Sequence, residues 1–509
     1  MRTKPLLIIT FFIISLVLFS KPSVSQHSND TLSLVKDLRS VNKYEDASSL
    51  LKKYLKNNPS DVNALWLFAQ TNFWLGNFNE SDEYYKKALA LDPGNDFLNI
   101  DYARTLTNMG EWEKATSILK KLKAGGKDYS DADFIMAKIL YWENDFNRSE
   151  DLLNNVLWKD GSNTEAYNLL QEVLKAKAPW LKVKASALHD NQPLDNQILS
   201  IEYGRFYSPL ANLYIGFYFP FYAIDRKSAN ALWFQTGIKS FFSDIDLHTQ
   251  ADAGVFEYPD NSKADWTANI YLKKVFGRYF TADLKADHSP YLNTLISVDT
   301  TLSNYNFSAS AAWDDNSSVS GKAGYLYSLF PKNKYVYAAY GWIYSPPIKF
   351  SGFEIKPGYS VNYSNSGNNT FRALNSLDEI ISNYYYDQYI SGIYDPYFTP
   401  KDQLINSGLL SVNYTPSNLI KFGLNLNIGI YSTVKNPYLY LNTDSTGQIY
   451  VDKSYSKEKF YPATVNFFTN YQISDKMLLR IQYDYQKTNF YINNYFGISY
   501  ILSFWNGKE

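Results

Sequence analysis

A period of 34 residues fills the first third of this chain and leaves little choice about how that third folds. Val35, Ala69, Ala103 and Ala137 share one position of it, and Asn42, Gly76, Gly110 and Asn144 share another. The first position wants a side chain small enough for two helices to touch. The second wants a residue that tolerates a positive φ in a tight turn. Aromatic residues follow two places later, at Tyr44, Phe78, Trp112 and Phe146. Then come the small residues Ala47, Ser81, Ala115 and Ser149, and one turn on Leu51, Tyr85, Leu119 and Leu153. Pro59 and Pro93 close the first two units, where a proline ends a helix without breaking it. A pair of antiparallel helices that buries its faces only by stacking on the next copy satisfies every position. All of them are packing positions, and none carries chemistry.

Over residues 28–163 this pattern resembles the tetratricopeptide family, with Thr164 to Lys177 reading as the solvating helix that closes such an array and a short linker to residue 178. The resemblance implies a concave face that holds a protein partner, here one from the periplasm or the inner membrane.

Beyond Pro179 the texture changes. The 509 residues include 45 Tyr, 32 Phe and 11 Trp, and most of the excess lies in this second part. Apolar residues there alternate with polar ones, so no stretch can cross a bilayer as a helix, while a bilayer admits only helices and closed barrels. In 420–430 the residues Ile420, Phe422, Leu424, Leu426, Ile428 and Ile430 share one face, and Lys421, Gly423, Asn425, Asn427 and Gly429 the other. Leu247 to Val255, Phe280 to Asp287, Leu479 to Gln486 and Phe496 to Phe504 alternate in the same way. A charge facing lipid at mid-bilayer costs about 2–4 kcal/mol. The charged face is therefore the lumen, which makes Glu202, Asp252, Asp283, Asp287 and Asp484 lumen candidates, balanced by Lys182, Lys184, Lys273, Lys285 and Arg480. Mixed signs inside a barrel are expected to pair across strands.

Some sixteen such segments fit between 179 and 505, the thirteenth at 420–434 and the fourteenth at 460–472. Their linkers sort by parity. Connections after even strands are brief, as at Ser208-Pro209-Leu210-Ala211, Gly277-Arg278, Ser345-Pro346-Pro347 and Ser474-Asp475-Lys476. The long ones, Tyr291 to Thr301, Ser364 to Asp402 and Lys435 to Lys459, follow odd strands, as on the outer face of outer-membrane barrels. The fold class expected is thus α + β multidomain: an all-α solenoid followed by an antiparallel transmembrane barrel of about sixteen strands. Arg2 and Lys4 precede an apolar run from Leu6 to Phe19, and the small residues Ser23 and Ser25 predict a signal peptide cleaved after Ser25. Residues 506–509 form a tail. The chain has no cysteine, which excludes lipidation at an N-terminal cysteine, disulfides and thiolate metal sites.

The segment Tyr394-Asp395-Pro396-Tyr397-Phe398-Thr399-Pro400 leads directly into a strand. It is similar to the Tyr-Phe-(Ser/Asn)-Pro stretch before a late strand in the outer-membrane exporters of cellulose and poly-N-acetylglucosamine. The order of domains resembles the smaller YaiO-like branch of that architecture, although four repeats are fewer than such exporters usually carry. The resemblance implies an outer-membrane channel or accessory for export of a surface glycan, with the repeats in the periplasm. Two other readings stay open: a barrel that only anchors an interaction module, its lumen plugged by 364–402, and an outer-membrane hydrolase using Asp287-His288-Ser289. The four histidines lack metal-ligand spacing, no nucleophile elbow or phosphate-cradling loop appears, and a net charge of −1 offers nothing to nucleic acid. No enzyme activity, cofactor or metal is expected.

Overall fold

A computed structural model describes residues 24–505, apart from 127, 192–193, 225–226, 259–262, 278, 294–296, 298–299, 315–317 and 384–389. The apolar run Leu6 to Phe19, Arg278 and the tail 506–509 lie outside the described residues, and the cleavage position predicted at Ser25 falls where the first described helix begins. The chain divides into two compact units. One comprises Met1–Ile139 with Leu152–Ala166, the other Leu140–Asp151 with Tyr167–Glu509.

Nine helices appear among the described N-terminal residues: α1 (Val24–Ser40), α2 (Tyr44–Asn57), α3 (Val62–Trp74), α4 (Phe78–Leu91), α5 (Asp96–Asn108), α6 (Trp112–Ala124), α7 (Ser130–Trp142), α8 (Phe146–Lys159) and α9 (Thr164–Lys177). Each repeat aromatic opens a second helix, at Tyr44, Phe78, Trp112 and Phe146. The turn before it uses the left-handed backbone, with φ of 60° at Asn42, 78° at Gly76, 80° at Gly110 and 57° at Asn144. Glycine and asparagine tolerate that conformation at least cost. Val35, Ala69, Ala103, Ala137 and Ala115 are fully buried. So is Ser81, whose hydroxyl donates to the Ala69 carbonyl at 2.8 Å, so a polar residue fits a close-contact position. Asp61 and Asn95 follow the unit-closing prolines and cap α3 and α5, accepting from the amides of Ala64 and Leu98.

Between α3, α4 and α5 the packing is partly polar. Asp101 Oδ2 accepts from Trp66 Nε1 at 2.5 Å, Gln70 Nε2 at 2.6 Å and Tyr85 Oη at 2.8 Å. Burial pushes the Tyr85 phenol well above its ordinary range, and the neighbouring Asp101 carboxylate adds to the effect. Asp82 shows the opposite balance: burial raises its pKa, but hydrogen bonds from Lys86 and Tyr102 outweigh it and hold the carboxyl below the usual range. A carboxyl with a depressed folded pKa gives stability above its unfolded pKa and loses it as pH falls through the folded one. Helix ellipticity at 222 nm, followed in denaturant, is therefore expected to show the wild-type chain losing stability faster than Asp82→Asn as pH drops below about 4. Parallel slopes would contradict this.

Within the second unit, the chain from Trp180 forms a closed antiparallel barrel of sixteen strands. They are β1 (Trp180–Asp190), β2 (Asp195–Ser208), β3 (Ala211–Ile224), β4 (Leu232–Phe242), β5 (Leu247–Glu257), β6 (Ala264–Phe276), β7 (Phe280–Pro290) and β8 (Ser303–Trp313). Then follow β9 (Ser320–Phe330), β10 (Lys334–Tyr344), β11 (Phe353–Ser366), β12 (Gln403–Ser417), β13 (Ile420–Thr443), β14 (Ala463–Ser474), β15 (Met477–Lys487) and β16 (Ile492–Ser503). Each pairs with the next, and β1 closes the ring against β16 from Trp180↔Ser503 to Asp190↔Asn493. Closure leaves no sheet edge in the ring, the condition for a strand structure in hydrocarbon. Leu199, Ile201, Ile270, Leu284, Phe307, Ile428 and Phe496 point outward and are 40–56% exposed. An apolar band of that extent requires a lipid surface. Aromatic rings flank it at both ends, Trp266 and Tyr305 at one and Phe276, Phe280 and Trp313 at the other.

Connections alternate as the parity of the linkers predicts, giving the barrel a short-turn end, where β1 begins and β16 stops, and a long-loop end. One boundary differs. The chain from 435 to 459 is not a loop: β13 runs on to Thr443 and pairs with Ile449–Phe460, forming a hairpin beyond the ring, and β14 starts at Ala463. A register irregularity between Asn406 and Ser407 skips a residue opposite them, so Ile430 and Tyr431 are both exposed and the alternation inverts afterwards.

Candidate functional site in the barrel lumen

The inward faces carry carboxylates bonded by neighbouring side chains and amides that form ladders. Lys182 Nζ meets Glu202 at 3.1 Å across β1 and β2, and Lys285 Nζ meets Asp287 at 2.9 Å along β7. Asp283 accepts from Tyr271 Oη at 2.6 Å, Ser310 Oγ at 3.2 Å and Lys322 Nζ at 3.4 Å. Asp252 accepts from Asn269 at 2.7 Å and Gln250 at 2.9 Å, while its Oδ1 is buried without a hydrogen-bond partner. Gly237 stands opposite Asp252, and a Cβ there would come within 2.2 Å of that oxygen and 2.4 Å of the Tyr214 ring, so the close approach needs glycine.

On the other side of the ring, Ser411 donates to Asn425 at 2.8 Å and Asn425 to Asn466 at 3.2 Å, and Asn466 and Gln482 both donate to Asp484. Arg480 lies over the Phe468 ring at 5.3 Å and Lys184 over Tyr495 at 5.5 Å. Lys273 shares the inward register of Asp283. The sequence singled out neither Lys322 nor the amides Asn269, Asn306 and Asn466, while Asn425 falls on the polar face assigned to 420–430. For the amides the signal is present, since each is the polar member of an alternating pair, whereas around Lys322 small residues weaken the alternation.

The Asp287-His288-Ser289 segment does not form a relay. Ser289 Oγ donates to Asp287 at 3.3 Å, whereas the His288 ring lies between Trp266 and Tyr305, at centroid distances of 4.1 and 4.5 Å. Its Nδ1 donates to the Trp266 carbonyl at 2.8 Å. His288 thus belongs to the outward aromatic girdle.

The long connection between β11 and β12 contributes an aromatic lid. Thr370 and Thr399 bond to each other at 3.1 Å, Ser366 Oγ donates to the Pro400 carbonyl at 2.8 Å, and the Ile390 amide donates to the Leu439 carbonyl at 2.9 Å. Asp395 pairs with Arg372, and its peptide bond to Pro396 is cis. So anchored, Tyr397 stacks on Phe330 at 3.6 Å with planes 5° apart, and Phe398 stacks on Phe490 at 3.6 Å with planes 15° apart. Phe330 ends β9, and Phe490 lies between β15 and β16, nearly opposite in a ring of sixteen. Adjacent residues of one segment therefore grip opposite walls of the long-loop mouth. Burial raises the pKa of both Tyr394 and Tyr397, keeping these phenols neutral. Tyr222, Phe256, Tyr258 and Leu194 form a separate apolar cluster inside β2–β6.

Two cavities open on this interior. One of about 610 Å³ lies beneath Tyr394 and Phe398, lined from β1, β2, β7–β10, β15 and β16. The other, about 420 Å³, is lined by Asp252, Asn269, Tyr271, Lys285 and Asp287 among others. Among the described residues no cluster of three His, Asp or Glu could hold a metal ion.

Fold and lumen define a class: tetratricopeptide-like helices followed by a closed sixteen-stranded membrane barrel with a polar interior. A tetratricopeptide-repeat family model matches residues 76–139. A comparison with curated protein sequences finds no match. Among solved structures, one described as a bacterial polysaccharide outer membrane secretin superposes with a TM-score of 0.45 at 9% identity, covering 64% of this chain and 99% of its own. A tetratricopeptide repeat protein from Parabacteroides merdae (TM-score 0.27, 15% identity) covers 29% of this chain and 57% of its own. Pseudomonas aeruginosa pilF (TM-score 0.27, 19% identity) covers 30% of this chain and 68% of its own.

Proposed function

We propose that this chain is an outer-membrane conduit or export accessory for a surface polysaccharide, with its helical repeats in the periplasm as the docking scaffold for an envelope protein and with no catalytic step of its own. The observation that carries this is the lumen lining. Its carboxylates are bonded by lysines, amides or hydroxyls, and the amide ladders present both donors and acceptors. Such a wall bonds hydroxyl groups weakly and repeatedly without trapping a counter-ion, which suits a long polyhydroxylated chain. Placement in the periplasm rests on the chain entering β1 at the short-turn end, the periplasmic end of outer-membrane barrels. The motif Tyr394 to Pro400, on which the resemblance to glycan exporters rests, supplies the lid itself.

That lid also favours a second reading, in which the barrel is an anchor and the repeats are the working part. Planar-bilayer conductance separates the two. The intact chain should pass little current, and a variant with residues 368–400 replaced by a short glycine-serine turn should conduct steadily. Silence in both would leave the anchor.

A further inference from the structure

The chamber beneath the lid is lined largely by amides, hydroxyls and rings. Asn196, Asn304, Asn306, Gln486 and Asn493 reach it from four strands, under a roof that includes Tyr394 and Phe398. Its volume of about 610 Å³ falls in the range of about 300–1,000 Å³ that small-molecule sites occupy. Part of the amide set is already wired: Asn304 donates to Asn306 at 2.9 Å, and Asn306 donates to Asp287 at 2.9 Å while accepting from Ser328 at 2.7 Å. Asn196 is different, because its Oδ1 is buried without a hydrogen-bond partner. With that oxygen shut off from the chamber, a ligand hydroxyl reaches it only once the amide turns, and the cost of leaving a buried acceptor unpaired favours that turn. Among the described residues of the lining the one carboxyl is that of Asp190, which accepts from the Leu194 amide at 3.0 Å, and none is a lysine, arginine or histidine.

We infer that this chamber is a binding subsite for an uncharged saccharide unit, held by amide–hydroxyl hydrogen bonds under an aromatic roof. Apolar rings with a few placed polar groups are the usual make-up of a site that orients a ligand of mixed polarity. An anionic sugar is rejected there, since it would lose water beside a carboxylate with no cation to replace the lost solvation. The inference rests on the conduit reading for the identity of its ligand and adds the charge class and place of contact.

The test is calorimetric titration of the full-length chain, folded in detergent, with cellotriose, maltotriose and N,N′,N″-triacetylchitotriose as neutral probes and trigalacturonate as the anionic one. At least one neutral trisaccharide should bind about tenfold or more tighter than trigalacturonate, and Asn196→Leu and Gln486→Leu should each weaken it about tenfold, the worth of one hydrogen bond. Migration of unheated samples on denaturing gels confirms that each variant is folded. The inference is overturned if no neutral probe binds, if trigalacturonate binds as tightly, or if both folded variants bind like the parent. Conductance of the loop-shortened barrel separates the two claims: a current that oligosaccharides interrupt, without neutral-sugar binding by the full-length chain, removes the subsite and keeps the conduit, whereas binding without current does the reverse.

Discussion

Replacing Tyr397 and Phe398 together by alanine should turn a barrel that opens rarely into one that conducts continuously. Both rings hold the lid to opposite walls, Tyr397 through Phe330 and Phe398 through Phe490, each at 3.6 Å. Truncating a buried aromatic costs about 3 kcal/mol or more, and a loss near 5.5 kcal/mol shifts a two-state population by about 10⁴. The larger loss falls at buried Tyr397 and a smaller one at half-buried Phe398, on an element also held by hydrogen bonds from Ser366, Ile390 and Lys453 and by the packing of Ile380 and Ile390 on Leu439 and Leu441. Strand pairing within the ring does not depend on either ring, so folding into lipid should be unchanged. Single-channel recording reads the result directly. A double variant as quiet as the parent, while the 368–400 replacement conducts, would show that the lid is held by its backbone anchors and not by its aromatic grip.

The second large effect concerns which face meets lipid. Leu284, near the middle of β7, points outward and is 56% exposed, whereas the next residue, Lys285, points inward and pairs with Asp287. Leu284→Arg should destabilise the folded barrel by about 2–4 kcal/mol in lipid vesicles. Lys285→Leu removes one partly exposed ion pair and should cost about 1 kcal/mol or less. Reversible folding followed by tryptophan fluorescence along a urea gradient measures both. Equal costs at the two positions would contradict the assignment of faces.

These two residues also show why so much of the ring was legible in the sequence. A strand shows lipid on one side and water or side chains on the other, so its alternation is written residue by residue, and the helical repeats are written as plainly because close helix contacts admit only small residues at Ala69, Ala103 and Ala137. Legibility stops where that rule stops. At the irregularity opposite Asn406 and Ser407 the period breaks, so the rest of β13 read as loop although it continues as a hairpin. Lys322 sits in Ser320-Gly321-Lys322-Ala323-Gly324, where small residues weaken the alternation, and its partner Asp283 lies 39 residues away. The motif at 394–400 was visible as a motif, and 364–402 as a segment that could plug the lumen, but the ring contacts that hold it there were not. Its partners Phe330 and Phe490 are distant in sequence and meet it only because the ring closes.

The central claim is that the lumen passes a glycan, and blockade of current by sugar tests it most directly. In a planar bilayer, the loop-shortened barrel should conduct, and neutral oligosaccharides should interrupt that current in discrete events whose frequency rises with concentration and whose duration rises with chain length. An open, steady current unaffected by neutral or charged oligosaccharides at any length would contradict the account and leave the barrel as an anchor for its helical repeats.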